Sequence, residues 1–320
     1  MKTSLRFFAK APGKIIITGE HFVVHGSLAL AAAIDKCALV EAKAFEGIEI
    51  ISKTLGSFSS KEGEASLFFK PTLEAIKATL EFIGEKKGVK LIIDSELPIS
   101  SGLGSSSAVA VATVAATASV FNHKLSLEEI VNLAMVSERI THGKPSGIDV
   151  NVATYGGVIL FKMGEKPKRI KLKKDVEFLI CYSGIKHKTF EMVSKFSEMK
   201  KSYPNLFTSL VLSSNYFTKM AAYALINKDI ITLGAIMNFF HTVLSHLGVS
   251  TTELDNIVEK ALEAGCIGAK LTGAGGGGCI IALPRSGEAS IVANTLKRKG
   301  IDVSIVKLPL EGVKVWQEKS

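Results

Sequence analysis

Pro98-Ile99-Ser100-Ser101-Gly102-Leu103-Gly104-Ser105-Ser106-Ser107-Ala108 is the stretch on which the reading of this chain turns. It follows an apolar run, VKLIID at 89–94, and precedes a small-residue segment, AVAVATVAATASV at 108–120, so it joins a strand to a helix. Two glycines, three consecutive hydroxyls and the unpaired N–H groups of a helix start converge there. Together they make a cradle for an anion such as phosphate. The same residues also suit a Ser-capped turn that binds nothing. The surrounding sequence has to separate the two readings.

Toward the N-terminus, KIIIT at 14–18, CALVEAK at 37–43 and IEII at 48–51 read as strands. Leu73, Ile76, Leu80 and Ile83 recur near helical spacing after Pro71, with Gly84 or Gly88 as the stop. Toward the C-terminus, Ser126 and Glu129 form a capping-box pattern that starts a helix over about 127–140, ended by Gly143 and Pro145. GGVILFKM at 156–163 closes this half as a strand. The basic, Pro-containing EKPKRIKLKKD at 165–175 marks a boundary, dividing the chain into 1–168 and 169–320. Beyond it come helical patterns at about 188–202, 206–227, 229–247 and 251–264. A Gly-rich loop, the strand CIIALP, a helix near 287–299 and the strand DVSIVKL follow. The pattern is α+β in two domains.

At 320 residues, with 47% apolar and 22% charged side chains, the chain has the composition of a folded protein of about two domains. The apolar run at 108–120 is well short of the ~20 residues needed to span a bilayer. The N-terminus has no signal-like apolar region, so a cytoplasmic location and no membrane partner are expected. Cys37, Cys181, Cys266 and Cys279 form no CxxC pair, which argues against a zinc ribbon or a disulfide framework. His21/His25 and His241/His246 lack any HExxH context, which argues against a zinc enzyme. A net charge of +9 favours an anionic partner. Six basic residues between Lys166 and Lys174 raise RNA binding as a rival class. No RNP-type aromatic pattern accompanies them, however, and Ile170 and Leu172 alternate with the charges as in a half-solvated strand.

A second glycine cluster, Lys270-Leu271-Thr272-Gly273-Ala274-Gly275-Gly276-Gly277-Gly278-Cys279, matches GxGxxG. A strand rather than a helix follows it, which excludes a dinucleotide fingerprint. The GxxxxGK[ST] signature is absent, since Gly47 to Thr54 lacks the second glycine. The cluster reads instead as a turn able to press its backbone against a ligand.

Three ordered motifs together resemble the GHMP kinase family. APGKIIITGEHFVVHG at 11–26 is similar to its first motif, PISSGLGSSSA to its second and KLTGAGGGGC to its third. The resemblance spans nearly the whole chain. It implies an N-terminal ribosomal protein S5 domain 2-like domain and a C-terminal ferredoxin-like domain, with the ligands in the cleft between them. The form GEHxVVHG separates the mevalonate-phosphorylating branch from galactokinases, homoserine kinases and diphosphomevalonate decarboxylases. The resemblance therefore implies ATP-dependent phosphorylation of the mevalonate C5 hydroxyl in isoprenoid synthesis. Other GHMP small-molecule kinases, acting on phosphomevalonate, sugars or homoserine, are the alternative. A homodimer stays open, and no nucleic-acid partner is expected.

Residue by residue, the resemblance makes Asp149 the base facing the substrate hydroxyl and Lys14 the cation beside it. A carboxylate in reach of an alcohol accepts its proton as the phosphoryl group transfers, an effect of about 10²- to 10⁴-fold. A fixed cation there favours the ionised aspartate and offsets phosphoryl charge. Pro98 through Ala108, with Gly273, Ala274, Gly275 and Gly276, are assigned to ATP. Lys14, Glu20, His21, Asp149 and Thr189 are assigned to the substrate. Ser106 and Glu138 are assigned to Mg²⁺, an ion content with few protein oxygens. Ser107 and Val150 depart from the commoner Ala and Asn; Ser107 is expected to tighten the phosphate turn, Val150 to alter how the following helix is held.

Overall fold

The computed structural model describes residues 5–319 except 62, 64, 174, 186–195 and 197. Its first layer is an eight-stranded sheet, in the order 314–319, 5–18, 29–45, 88–95, 49–52 and 56–59, with 158–161 pairing 29–45 and 168–170 pairing 158–161. The two long strands at its centre, β1 (Leu5–Thr18) and β2 (Ala29–Phe45), run antiparallel. Ile15 and Ile17 join the main core while Ile16 joins a smaller cluster with Ile148 and Val152. That alternation is the two-residue period of a strand buried on both faces. β3 (Glu49–Ser52), β4 (Gly56–Ser59), β5 (Gly88–Ser95), β6 (Val158–Phe161) and β7 (Lys168–Ile170) complete this part of the sheet. The last strand, β12 (Lys314–Lys319), returns from the C-terminus to pair with β1, so a division at 168/169 leaves β12 in the second segment and cuts through β7.

Four helices pack on this layer: α1 (Lys70–Phe82), α2 (Ser105–Val120), α3 (Leu127–His142) and α4 (Ile148–Tyr155). α2 is the central one. Its Ala, Val, Ser and Thr side chains are buried nearly all round, which is how a helix reads when it has neighbours on every side. The expected capping box on α3 is present in both bonds: Glu129 N–H donates to Ser126 Oγ at 3.2 Å, and Ser126 N–H to Glu129 Oε2 at 2.7 Å.

The second layer is an antiparallel sheet of β8 (Glu177–Tyr182), β9 (Gly268–Thr272), β10 (Cys279–Leu283) and β11 (Asp302–Lys307), in the order β11-β8-β10-β9. In chain order that is 4-1-3-2, the ferredoxin-like arrangement. α5 (Pro204–Asn227), α6 (Ile230–His246), α7 (Thr252–Glu263) and α8 (Ala289–Arg298) accompany it. Most of the helix expected over 188–202 falls on residues outside the described set. Among the described residues no helix is long and apolar enough to cross a membrane.

Candidate active site

The site forms where β1, α2 and α4 meet. β1 changes register between Pro12 and Lys14, an irregularity of the kind that re-aims a side chain. The Lys14 N–H donates to the Leu103 carbonyl at 2.8 Å, tying the first motif to the second. Lys14 is almost wholly buried, and its Nζ lies 3.1 Å from Oδ1 of Asp149, which keeps about a quarter of its side chain open to solvent. Asp149 sits in the first turn of α4, where the helix dipole favours a negative charge. It is not a helix cap: that position is taken by Gly147.

Gly104 closes the third side. It occupies the N-cap of α2 at φ +74°, and a Cβ there would lie 2.9 Å from Lys14 Cγ and 3.6 Å from Asp149 Oδ2. A side chain would both strain the backbone and crowd the ion pair, so glycine is required. The uncapped N-terminus of α2, with its unpaired N–H groups, therefore opens beside Lys14 and Asp149.

Glu138, on α3, is buried behind this helix start. Its Oε1 accepts hydrogen bonds from Ser107 Oγ at 2.8 Å and Ser106 Oγ at 3.2 Å. Burial pushes its carboxyl above the usual carboxylate range, and the nearby Asp149 charge acts in the same direction. His142 and the two serine hydroxyls oppose the rise. Two carboxylates facing one space, one of them desolvated, are the arrangement that a cation would relieve. Ser106 is exposed and Ser107 buried, so Ser107 holds the carboxylate from the interior while Ser106 remains accessible. The Ser107 hydroxyl thus serves Glu138. Val150 is fully buried in the main core.

The third motif comes in from the second sheet. Thr272 Oγ1 accepts from Ile16 N at 2.9 Å and is 3.3 Å from the Ile16 carbonyl, stitching β9 to β1. His21 Nε2 meets the Ala274 carbonyl at 3.0 Å, and since a carbonyl can only accept, Nε2 carries the proton. Gly278, at φ +81°, passes so near the second motif that a Cβ would stand 2.8 Å from the Ser101 carbonyl oxygen. Gly276 N–H donates to the Val249 carbonyl at 2.9 Å. All three motifs therefore converge, although they are separated by up to about 250 residues of chain.

Glu20 takes a place the sequence did not suggest. Its side chain is 1% exposed and forms an ion pair with Lys270, itself fully buried, which also donates to the Leu271 carbonyl at 2.6 Å. Burial raises the Glu20 carboxyl and lowers the Lys270 ammonium, each restrained by attraction to the other. The Glu20 carboxylate is turned to the interior between the two layers. Lys270 was missed by sequence reasoning; its one signal was a lysine inside a strand of otherwise small and apolar residues. Thr189 lies outside the described residues. The remaining expected positions, Pro98, Ile99, Ser100, Ser101, Gly102, Leu103, Ser105, Ala108, Gly273 and Gly275, lie on the two loops and the start of α2.

Comparison with known proteins identifies the family. Residues 68–157 match the GHMP kinases N terminal domain and residues 221–302 the GHMP kinases C terminal domain. The mevalonate kinase of Aeropyrum pernix is 37% identical over 290 residues, covering 88% of this chain and 89% of that protein. The crystal structure of Methanococcus jannaschii mevalonate kinase superposes with a TM-score of 0.81 at 30% identity, over 94% of this chain and 98% of that one. That of L. major mevalonate kinase in complex with R-mevalonate gives 0.80 at 28% identity, over 93% and 94%. The fold is that of a small-molecule kinase, and the chain belongs to the GHMP kinase family.

Proposed function

We propose that the protein transfers the γ-phosphoryl group of ATP to the C5 hydroxyl of mevalonate, giving 5-phosphomevalonate and ADP, in the mevalonate route to isoprenoids. Its relatives carrying that activity match over most of the chain. The observation that carries the reading is the Lys14–Asp149 pair, 3.1 Å apart beside the uncapped start of α2.

Asp149 accepts the proton of the attacking alcohol as its oxygen bonds to the γ-phosphorus and the bond to the bridging oxygen of ADP breaks. Lys14 holds that carboxylate in place and offsets charge on the phosphoryl oxygens. The N–H groups at the start of α2 and the backbone of 273–276 face the polyphosphate. Segment 1–168 supplies the phosphate loop, the metal carboxylate and the base, and segment 169–320 brings the third motif over the cleft. His21 lies near the acceptor, whereas Glu20 acts on it through Lys270 and the turn it anchors.

The oxygen donors present fit Mg²⁺. Glu138 is a desolvated carboxylate facing a second one, with the accessible Ser106 hydroxyl beside it. Among the described residues no three acidic, histidine or cysteine side chains form a cage, and Mg²⁺ characteristically takes few protein ligands, completing its shell with water and phosphate. Ser106 and Glu138 would hold it, and it would supply charge neutralisation on the phosphate oxygens.

A coupled ADP-release assay with mevalonate, phosphomevalonate, galactose and homoserine tests the reading. Turnover is expected with mevalonate, and Asp149→Asn is expected to lower kcat by about 10²- to 10⁴-fold with ATP affinity retained. Activity on another acceptor with none on mevalonate would overturn the substrate. Near-normal turnover of Asp149→Asn would remove Asp149 from the chemistry.

A further inference from the structure

Away from the cleft, a concavity of about 130 Å³ lies between the β6–β7 hairpin, the loop before β2 and α5. Lys162, Lys166 and Lys168 reach it from the hairpin side and Lys219 from α5, while Leu28 and Leu160 are its apolar lining. Glu165 is the one acid among the lining residues, and it pairs with Lys162 at 2.6 Å. Lys166, Lys168 and Lys219 have no ion-pair partner among the described residues. Lys168 also acts on Glu165, which leaves Lys166 and Lys219 as two cationic charges without a counter-charge around one small space, an arrangement that favours an anion.

We propose that this concavity is a second anion site, selective for a single phosphate group, distinct from the Lys14–Asp149 cleft. Size decides the ligand class. Organic ligand and cofactor sites run to about 300–1,000 Å³, so 130 Å³ is too small for a nucleotide and suits one phosphate. Ammonium groups on separate elements act as point charges that bind phosphate without bidentate geometry. The leucines allow either free phosphate or the carbon side of a small phosphomonoester.

Edge lysines often serve only to blunt a sheet edge, and β7 is an edge strand. That account covers Lys168 but not Lys219, which belongs to a helix. Two other basic side chains of the same segment are committed elsewhere: Arg169 donates to the Leu310 carbonyl, and Lys173 to Asn227 Oδ1 at 3.0 Å. The site also touches the first motif. Leu28 packs against Gly19, its N–H donates to Asn215 Oδ1 at 3.2 Å, and Ser27 Oγ donates to Ser214 Oγ at 3.1 Å. Those two partners stand one turn before Lys219 on α5. An anion held there clamps α5 and the hairpin around the loop that follows Gly19-Glu20-His21.

The test is a titration of the full chain with inorganic phosphate against chloride at equal ionic strength. It is read by thermal unfolding and by ³¹P NMR line width, with a non-hydrolysable ATP analogue saturating the cleft. A saturable phosphate effect is expected to persist with the analogue bound. Lys166→Gln/Lys219→Gln should weaken it by about tenfold per lysine. Lys173→Gln should leave it unchanged, and unliganded turnover should be the same in all three proteins. A parallel titration with glycerol phosphate identifies the source: tighter binding than inorganic phosphate assigns a phosphomonoester, weaker binding the free anion. Loss of the effect when the cleft is occupied, or wild-type phosphate affinity in the double variant, would overturn the proposal. So would a mixed-sequence RNA oligomer that binds through these lysines while phosphate has no effect.

Discussion

Replacing Glu20 by Gln removes one charge from a pair that has no access to water. Glu20 is 1% exposed and Lys270 fully buried, so in the variant the ammonium keeps the Leu271 carbonyl as its polar partner and still feels the repulsion of Lys14. Breaking a buried pair on one side costs about 3–5 kcal/mol, because the remaining charge is desolvated without compensation. In a chain of this size that lowers the melting temperature by roughly 4–7 °C. The deficit also has a pH signature. Burial already holds the Lys270 ammonium below its ordinary 10.5, and loss of Glu20 lowers it further. The unfolded chain then binds a proton that the folded one releases, so stability rises with pH as the medium approaches 10.5. Glu20→Gln should therefore be weakest near neutrality and recover in alkali. Glu20→Gln/Lys270→Met removes both charges and should regain most of the loss. Urea denaturation followed by circular dichroism at several pH values measures all of this. A single variant within 1 kcal/mol of wild type, or a double variant no better than the single, would refute the account of the pair.

Gly104→Ala forces a Cβ to 2.9 Å from Lys14 Cγ in a left-handed conformation. It should cost about 1–2 kcal/mol of stability but more than tenfold in kcat, which melting and steady-state kinetics separate. Ser107→Ala deletes a buried 2.8 Å hydrogen bond to Glu138 and should destabilise by about 1–3 kcal/mol, whereas the exposed Ser106→Ala should lower turnover with little change in melting. His241, 3.1 Å from Asp255 and accepting from Leu271 N, is held below the ordinary 6.5, first by burial and further by Lys270, against the pull of Asp255. The unfolded chain thus binds the proton more readily, and stability should fall as pH drops below about 6.5. His241→Asn should flatten that slope in urea titrations between about pH 5 and 8.

Much of the fold was legible because local signals and burial agreed. The capping box at Ser126 and Glu129, the spacing of Leu73, Ile76 and Leu80, and the Ala-rich run from Ser105 each specify a helix without help from distant residues. β12 was not legible, since KVWQEK is largely exposed and becomes a strand by pairing with β1 from the opposite end of the chain. β9 was hidden in the glycine motif, where its five residues are too few to set a period.

The site divides along the same line. The sequence by itself determined the three motifs, the candidate groups they carry and their order, because phosphate loops need glycine, hydroxyls and a helix start, and these are local chemical requirements met within a dozen residues. Only the tertiary structure decided that Lys14 faces Asp149, that Ser107 serves Glu138, and that Glu20 is spent on Lys270 in the interior. Charge and hydroxyl partners are fixed by packing between segments more than a hundred residues apart in two of those cases. No one-dimensional pattern encodes which side chain is cut off from water.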